Sequence, residues 1–398
     1  MLDELRKFRN DLSTKILFLI IILVSIAVSI APIKSFSAIE SVDSANIIKG
    51  RPAINILKVR YENIKGELSI HKINEVLSYY KSIPDTDTAY IESNIKYPGI
   101  ISLLSDAYST GDTSETQNLN KIEDANDFYD RNVIKIASIL ENSHNEYRTW
   151  EEDAIIEKAK SIDTPFIIDF SKQWVNAYKS LTVVFVFISL SGVLIGSRLF
   201  SYEKEKNMDI ILSTLGKRKI QNIGRNKVLA LLTFLSIELV ISALIVSIII
   251  FSTTGINAWL NQIQFAYFTS IYNLTFGGAY LLFIFMAWIS LMAIGALVAA
   301  INSLVQKSYP SLVIGFIVVF SPLLAIRISS LPLSIRKFMS IQPINGFSTV
   351  RNLLSLQMFD FIFTKCLTTT AIIFCSFIIF IFCKSIAPKL FSLRIKNI

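Results

Sequence analysis

Six long apolar blocks set the limits on what this chain can fold into. A helix needs roughly 20 apolar residues to cross about 30 Å of hydrocarbon. Ile16–Ile33, Leu181–Phe200, Val228–Phe251, Gly277–Ile301, Tyr309–Ile328 and Cys366–Cys383 meet that length or come close. The first is short and the fifth contains prolines. With 52% hydrophobic residues over 398 positions, the chain is more apolar than soluble domains usually are. The expected fold class is an α-helical integral membrane protein. Six transmembrane helices would carry a mainly helical extracellular domain with a small β element.

Charge orients this layout. Residues 34–178 hold 16 basic and 23 acidic side chains, and the rest of the chain holds 23 and 8. Such a split is the positive-inside bias of a membrane protein and does not point to nucleic acid. Basic residues cluster before the first block (Arg6, Lys7, Arg9, Lys15), after the second (Lys204 to Lys227) and in the tail (Lys384, Lys389, Arg394, Lys396). These regions would face the cytoplasm, with both termini inside, as in a multi-pass protein of the bacterial cell membrane. Arg336, Lys337 and Arg351 then fall outside, against the rule. Residues 1–15, with Leu5, Phe8 and Leu12 among basic side chains, suggest an interfacial helix. Residues 16–33 form the first span. Their apolar run is too long for a signal-peptide core, so an uncleaved anchor is expected.

Residues 34–178 form the outer domain. It has no cysteine, since Cys366, Cys375 and Cys383 all lie in the last block. No disulfide therefore holds it together. Ile54–Arg60 alternates like a strand, and Ala89–Glu92 is a weaker strand candidate after the turn-like Pro84-Asp85-Thr86-Asp87. Tyr108–Thr116 reads as a loop. Phe128, Val133, Ile136, Ile139 and Leu140 then show helical spacing, as do Trp150, Ala154, Ile155 and Ala159. Pro165 breaks the second of these helices. Phe170, Trp174 and Tyr178 recur every four residues, so one helix is expected to run into the second span. Its Trp174 and Tyr178 would lie in the interfacial aromatic belt.

Residues 179–398 would form five further spans, joined by an inner loop over 201–227 and an outer re-entrant region over 331–364. In the inner loop, Met208, Ile211, Leu212 and Leu215 make a narrow apolar stripe on a short helix. Gly216 is a plausible stop, followed by Lys217-Arg218-Lys219. A short amphipathic helix between spans either lies in the interface or docks into a partner's groove.

The loop resembles that of type-two ABC permeases. Exporters of that family carry E-x-x-x-G-x-x-x-x-L-L-S-x-P-x-x-R-x-x-I-x-x-x-K, and Glu203, Leu212, Ser213, Arg218 and Lys227 can be placed on it. Asn207 stands at the usual Gly, and Leu215 or Gly216 at the frequent Pro. Related permeases of low-GC Gram-positive bacteria also have a long outer domain between the first two spans. It bears an Asp-Phe-Tyr-x-x-Arg stretch, a Thr-Pro-Phe and a Trp before the membrane. Asp127-Phe128-Tyr129-Asp130-Arg131, Thr164-Pro165-Phe166 and Trp174 are similar. The resemblance implies an ATPase-coupling helix that uses Glu203, Met208, Ile211, Leu212, Leu215 and Arg218. It also implies a second permease chain and a separate ABC ATPase that binds ATP and Mg. This chain has no G-x-x-x-x-G-K-[ST] run and therefore no P-loop of its own.

Other residues bear on assembly and cargo. Gly192 with Gly196, and Gly295 with Ala299, are spaced for close helix approach, within one chain or across a dimer. Glu238 lies eleven residues into the third block, where a carboxylate must face a cavity or a partner. It is a candidate cargo or ion site, or else a hydrogen-bonded packing residue. Pro332, Pro343, Asn345 and Gly346 interrupt the region before the last block. His71 and His144 stand apart among polar residues, so neither catalysis nor a metal site is expected. The expected function is the permease of an ATP-driven exporter that moves a peptide, lipid, drug or cation outward by alternating access. The alternative is a non-transporting sensor or self-protection module whose outer domain binds a peptide or surface polymer.

Overall fold

The computed structural model describes residues 2–41, 46–109, 119–143, 146–361 and 364–396. His144 and most of the Tyr108–Thr116 segment lie outside them. Six helices are long and apolar enough to cross a membrane: Leu12–Ser35, Lys172–Gly196, Lys217–Thr254, Phe276–Val305, Ser308–Ala325 and Thr368–Lys396. They pack into one bundle. The end carrying residues 36–171 is here the domain end, and the end carrying residues 197–216 is the loop end.

The fourth span is the best-enclosed helix and packs against the second, third, fifth and sixth. Small side chains allow this. A Cβ on Gly295 would stand 2.9 Å from Leu235 Cδ1, and one on Gly196 would stand 3.0 Å from Val298 Cγ1. Gly192 meets Leu235 in the same way, and Ala299 is fully buried. The paired small residues thus face neighbouring helices of the same chain. The first and fifth spans are peripheral and leave Leu19, Leu23, Phe316 and Ile317 exposed.

Helix limits depart from the apolar blocks. Asp11 ends the Leu2–Asn10 helix and caps the first span, its carboxylate accepting from Thr14 N at 2.9 Å, so Leu12 belongs to the span. The last span starts at Thr368 and runs to Lys396, past Cys383. Cys366 lies instead in a hairpin that pairs Met358–Phe361 with Thr364–Leu367. The second span begins at Lys172, so Phe170 is outside it and joins the domain core. Trp174 and Tyr178 are fully buried, not arrayed in a belt. Trp174 Nε1 donates to Asn257 O at 2.7 Å and Tyr178 Oη to Phe276 O at 2.6 Å. The connection between the third and fourth spans covers Trp174, and the start of the fourth span covers Tyr178.

The domain is mainly helical. Ile54–Arg60 is not a strand: it lies within the helix Arg51–Ile64, which buries Ala53, Ile54, Leu57, Tyr61 and Ile64. That stripe has helical period, and Val59, which the alternation places inward, is exposed. Ala89–Glu92 likewise belongs to the helix Thr86–Lys96. Asp85 is its N-cap, accepting from Thr88 N at 2.9 Å, so the turn-like sequence is a helix start. The β structure is two short antiparallel ladders, Ser37–Ile39 with Ile47–Lys49 and Gly66–Glu67 with Ile167–Ile168.

The domain has its own core, to which Phe265 and Phe268 from the connection between the third and fourth spans also belong. The two aromatic motifs meet there. Phe128 lies 5.6 Å from Phe268 and 6.4 Å from Phe166, and Tyr129 stands edge-on to Phe166 at 5.1 Å. Asp127 accepts from Arg131 at 2.6 Å and from the Tyr108 hydroxyl. Burial pushes the Asp127 carboxyl up, but these two partners outweigh it and hold it below the usual carboxylate range.

Residues 333–367 close the domain end of the bundle with the helix Leu333–Ser340, a 3-10 turn Pro343–Phe347, the helix Thr349–Leu353 and the hairpin. The 3-10 turn is wholly buried. Irregular backbone at such depth needs internal partners. Asn345 Nδ2 donates to Met339 O at 2.7 Å, and Asn345 O accepts from Asn352 Nδ2 at 3.0 Å. Two of the three cations that break the charge rule are matched by the domain, whereas Arg351 donates to Asn345 Oδ1 at 3.2 Å. Arg336 pairs with Glu146 at 3.0 Å and Lys337 with Glu151 at 2.6 Å.

Candidate functional site

At the loop end, the chain between the second and third spans makes two short helices, Ser201–Glu205 and Asp209–Ser213. A Schellman turn joins them: Met208 N donates to Glu203 O at 2.8 Å and Asn207 N to Lys204 O at 3.1 Å. Such a turn needs a left-handed residue, and Asn207 has φ 55°. Asparagine tolerates that conformation better than most residues. The stripe helix is therefore shorter than its sequence pattern suggests, because the turn takes Met208. Gly216 is not its stop. It immediately precedes the third-span helix, so Lys217, Arg218 and Lys219 occupy a helix N-terminus.

The loop stands on a rigid base. Asn302, fully buried near the end of the fourth span, accepts from Phe200 N at 2.7 Å and Ser201 N at 3.2 Å. Its amide donates to Ser197 O, to Ser201 Oγ at 3.3 Å and to Ser311 Oγ at 3.0 Å. Ser308 Oγ bridges Ser201 Oγ at 2.7 Å and Glu205 Oε1 at 2.6 Å. Sequence reading missed Asn302. Its signal was a lone amide at the end of an otherwise apolar run.

Glu203 does not reach outward. It is buried and ion-paired with Lys227, also buried. Lys227 donates to Leu199 O at 3.2 Å and lies 3.8 Å from Glu4 Oε2 on the N-terminal helix. The last span adds a further tie, as Lys396 Nζ donates to Ser213 O at 3.0 Å.

The apolar residues of the loop divide into two sets. Leu212 and Leu215 are half-buried and pack on the bundle core. Met208 is 43% exposed, Ile210 64% and Ile211 68%, so these three form the apolar tip. Ile210 lies off the sequence stripe and was not expected there. Arg218 is exposed.

Glu238 lies apart from this loop, between the second and third spans. It is fully buried, with Oε1 accepting from Ser191 Oγ at 3.1 Å. Its Oε2 and the Ser242 hydroxyl, one turn along the helix, have no hydrogen-bond partner. His71 lies on the helix Ile70–Lys81 and is exposed. Among the described residues, no group of three or more His, Cys, Asp or Glu side chains could hold a metal ion. No family model, curated protein or solved structure matches the chain.

Proposed function

We propose that the chain is the permease subunit of an ATP-driven exporter of the ABC type. In this reading the loop end faces the cytoplasm and a separate ATPase grips the tip formed by Met208, Ile210 and Ile211. The 36–171 domain faces outward. The observation that carries the reading is that exposed apolar tip on a base tied to four spans and the N-terminal helix. Exposed aliphatic side chains on an ordered, polar-anchored turn suit a groove on a partner better than water. The base suits force transmission. A push on the tip passes through the Schellman turn to Glu203, then through Lys227 to the third span and through Asn302 to the fourth.

Charge supports the same reading. Lys217, Arg218 and Lys219 crowd a helix N-terminus, where each cation costs about 0.3–1 kcal/mol against the helix dipole. An acidic counterpart beyond the helix would offset that cost. ATP binding would close the partner's dimer, and the moving loop would shift the second and third spans, between which Glu238 is buried. A peptide, lipid, drug or cation would leave past the domain.

The test is co-purification with a P-loop ATPase encoded beside the chain. Ile210→Asp with Ile211→Asp should abolish it while the thermal midpoint of the purified chain stays unchanged, since both side chains point away from the bundle. Retained co-purification at wild-type yield would sink the docking role. Leu212→Asp and Leu215→Asp are poorer probes, because they also damage the chain's own packing.

A further inference from the structure

The domain carries an aromatic and acidic cluster that the export reading does not use. Tyr79, on the helix Ile70–Lys81, and Tyr97, just after the helix Thr86–Lys96, stand edge to face with ring centroids 5.7 Å apart at 73°. The Lys96 ammonium sits over both, 3.9 Å from the Tyr79 centroid and 5.2 Å from that of Tyr97. Each ring is anchored independently of Lys96. Tyr97 is buried and its hydroxyl donates to Glu75 at 2.8 Å. Tyr79 is half-buried and its hydroxyl donates to Glu92 at 3.5 Å. Burial and the Glu75 contact push the Tyr97 phenol up to about 12, so it keeps its proton and that bond across ordinary pH. Donation to a carboxylate leaves each ring richer in electrons, which strengthens its hold on a cation.

Lys96 itself is held weakly. It is exposed at the end of its helix, and none of the ion pairs among the described residues includes it. An exposed cation–π contact barely matches the rotamer freedom that a lysine gives up to make it. The rings and carboxylates would therefore persist when Lys96 swings out. The surrounding segment is acidic, with 23 acidic against 16 basic residues over 34–178, and draws cations towards it.

We propose that Tyr79 and Tyr97, anchored by Glu75 and Glu92, form an ammonium-binding cage for a lysine side chain of an external peptide, with Lys96 as its resident competitor. The occupant on the page is a primary ammonium on an alkyl stem, and the ligand is matched to it. That the peptide is external rests on the outward orientation in the proposed function; the binding of its ammonium does not.

The test uses the full chain in phosphatidylglycerol nanodiscs, with empty discs as the blank. Calorimetric titration with a Gly-Lys-Gly peptide blocked at both ends reads the cage. Lys96→Ala should bind about twofold more tightly than wild type, because a contact of near-zero net free energy leaves Lys96 on the rings about half of the time. Adding Tyr79→Leu, which keeps apolar bulk, should remove that gain with little change in thermal midpoint. The norleucine analogue should not bind. Equal affinity of wild type and Lys96→Ala overturns the proposal, as does norleucine binding as well as lysine. Tighter binding of phosphocholine than of the peptide also overturns it, by assigning the cage to a lipid head group.

Discussion

Asn207 shows how one backbone angle can fix a turn. Its φ of 55° and the two hydrogen bonds around it define the Schellman turn between the loop helices. Asn207→Gly should leave stability within about 0.5 kcal/mol. Asn207→Val should cost about 1–2 kcal/mol, because a β-branched residue resists the left-handed region. Denaturant unfolding in detergent reads both. The asparagine is visible in the sequence, but its φ is not. Residues that look equivalent in the stripe also part company: Leu212 turns to the bundle and Ile211 to the open side. Periodicity ranks faces of a helix, but it does not say which face meets a neighbour.

Among elements, the loop is defined by its mount more than by its own helicity. Five-residue helices are too short to hold themselves in water. Asp209–Ser213 is held by the turn, by Lys396 and by the base below it. The Glu203–Lys227 pair belongs to that base, although the resemblance assigned Glu203 to partner contact. Lys227→Met leaves a buried carboxylate without its cation and should destabilise the chain by about 3–5 kcal/mol. Lys227→Met with Glu203→Met should recover most of that loss, since the apolar pair leaves no charge buried. A thermal midpoint series over the two single variants and the double checks the order. The same contrast governs the domain. Ile54–Arg60 alternates like a strand, yet Tyr61 and Ile64 extend a helical stripe that the shorter window left out.

At the scale of the whole molecule, ion pairs tie the domain to the region closing the bundle. Glu151 is almost fully buried under Lys337, whereas Glu146 and Arg336 are partly exposed. Removing Lys337 as Lys337→Met should therefore cost more than Arg336→Met, by roughly 2 kcal/mol or more. In a double-mutant cycle, Lys337 and Glu151 should couple by about 1–3 kcal/mol. Equal costs for the two lysine and arginine variants would mean that the domain end is not clamped at Glu151. The number and places of the apolar helices were legible in the sequence alone, because crossing hydrocarbon demands a local run of apolar residues. So were the mainly helical domain and the candidate loop. Tertiary structure alone decided that Trp174 and Tyr178 are buried, that Glu203 faces inward and that Ile210 joins the tip. The first two are contacts between segments far apart in the chain, and the exposure of Ile210 is what the contacts of its neighbours leave over; burial is a property of the pair that meets rather than of either run of residues.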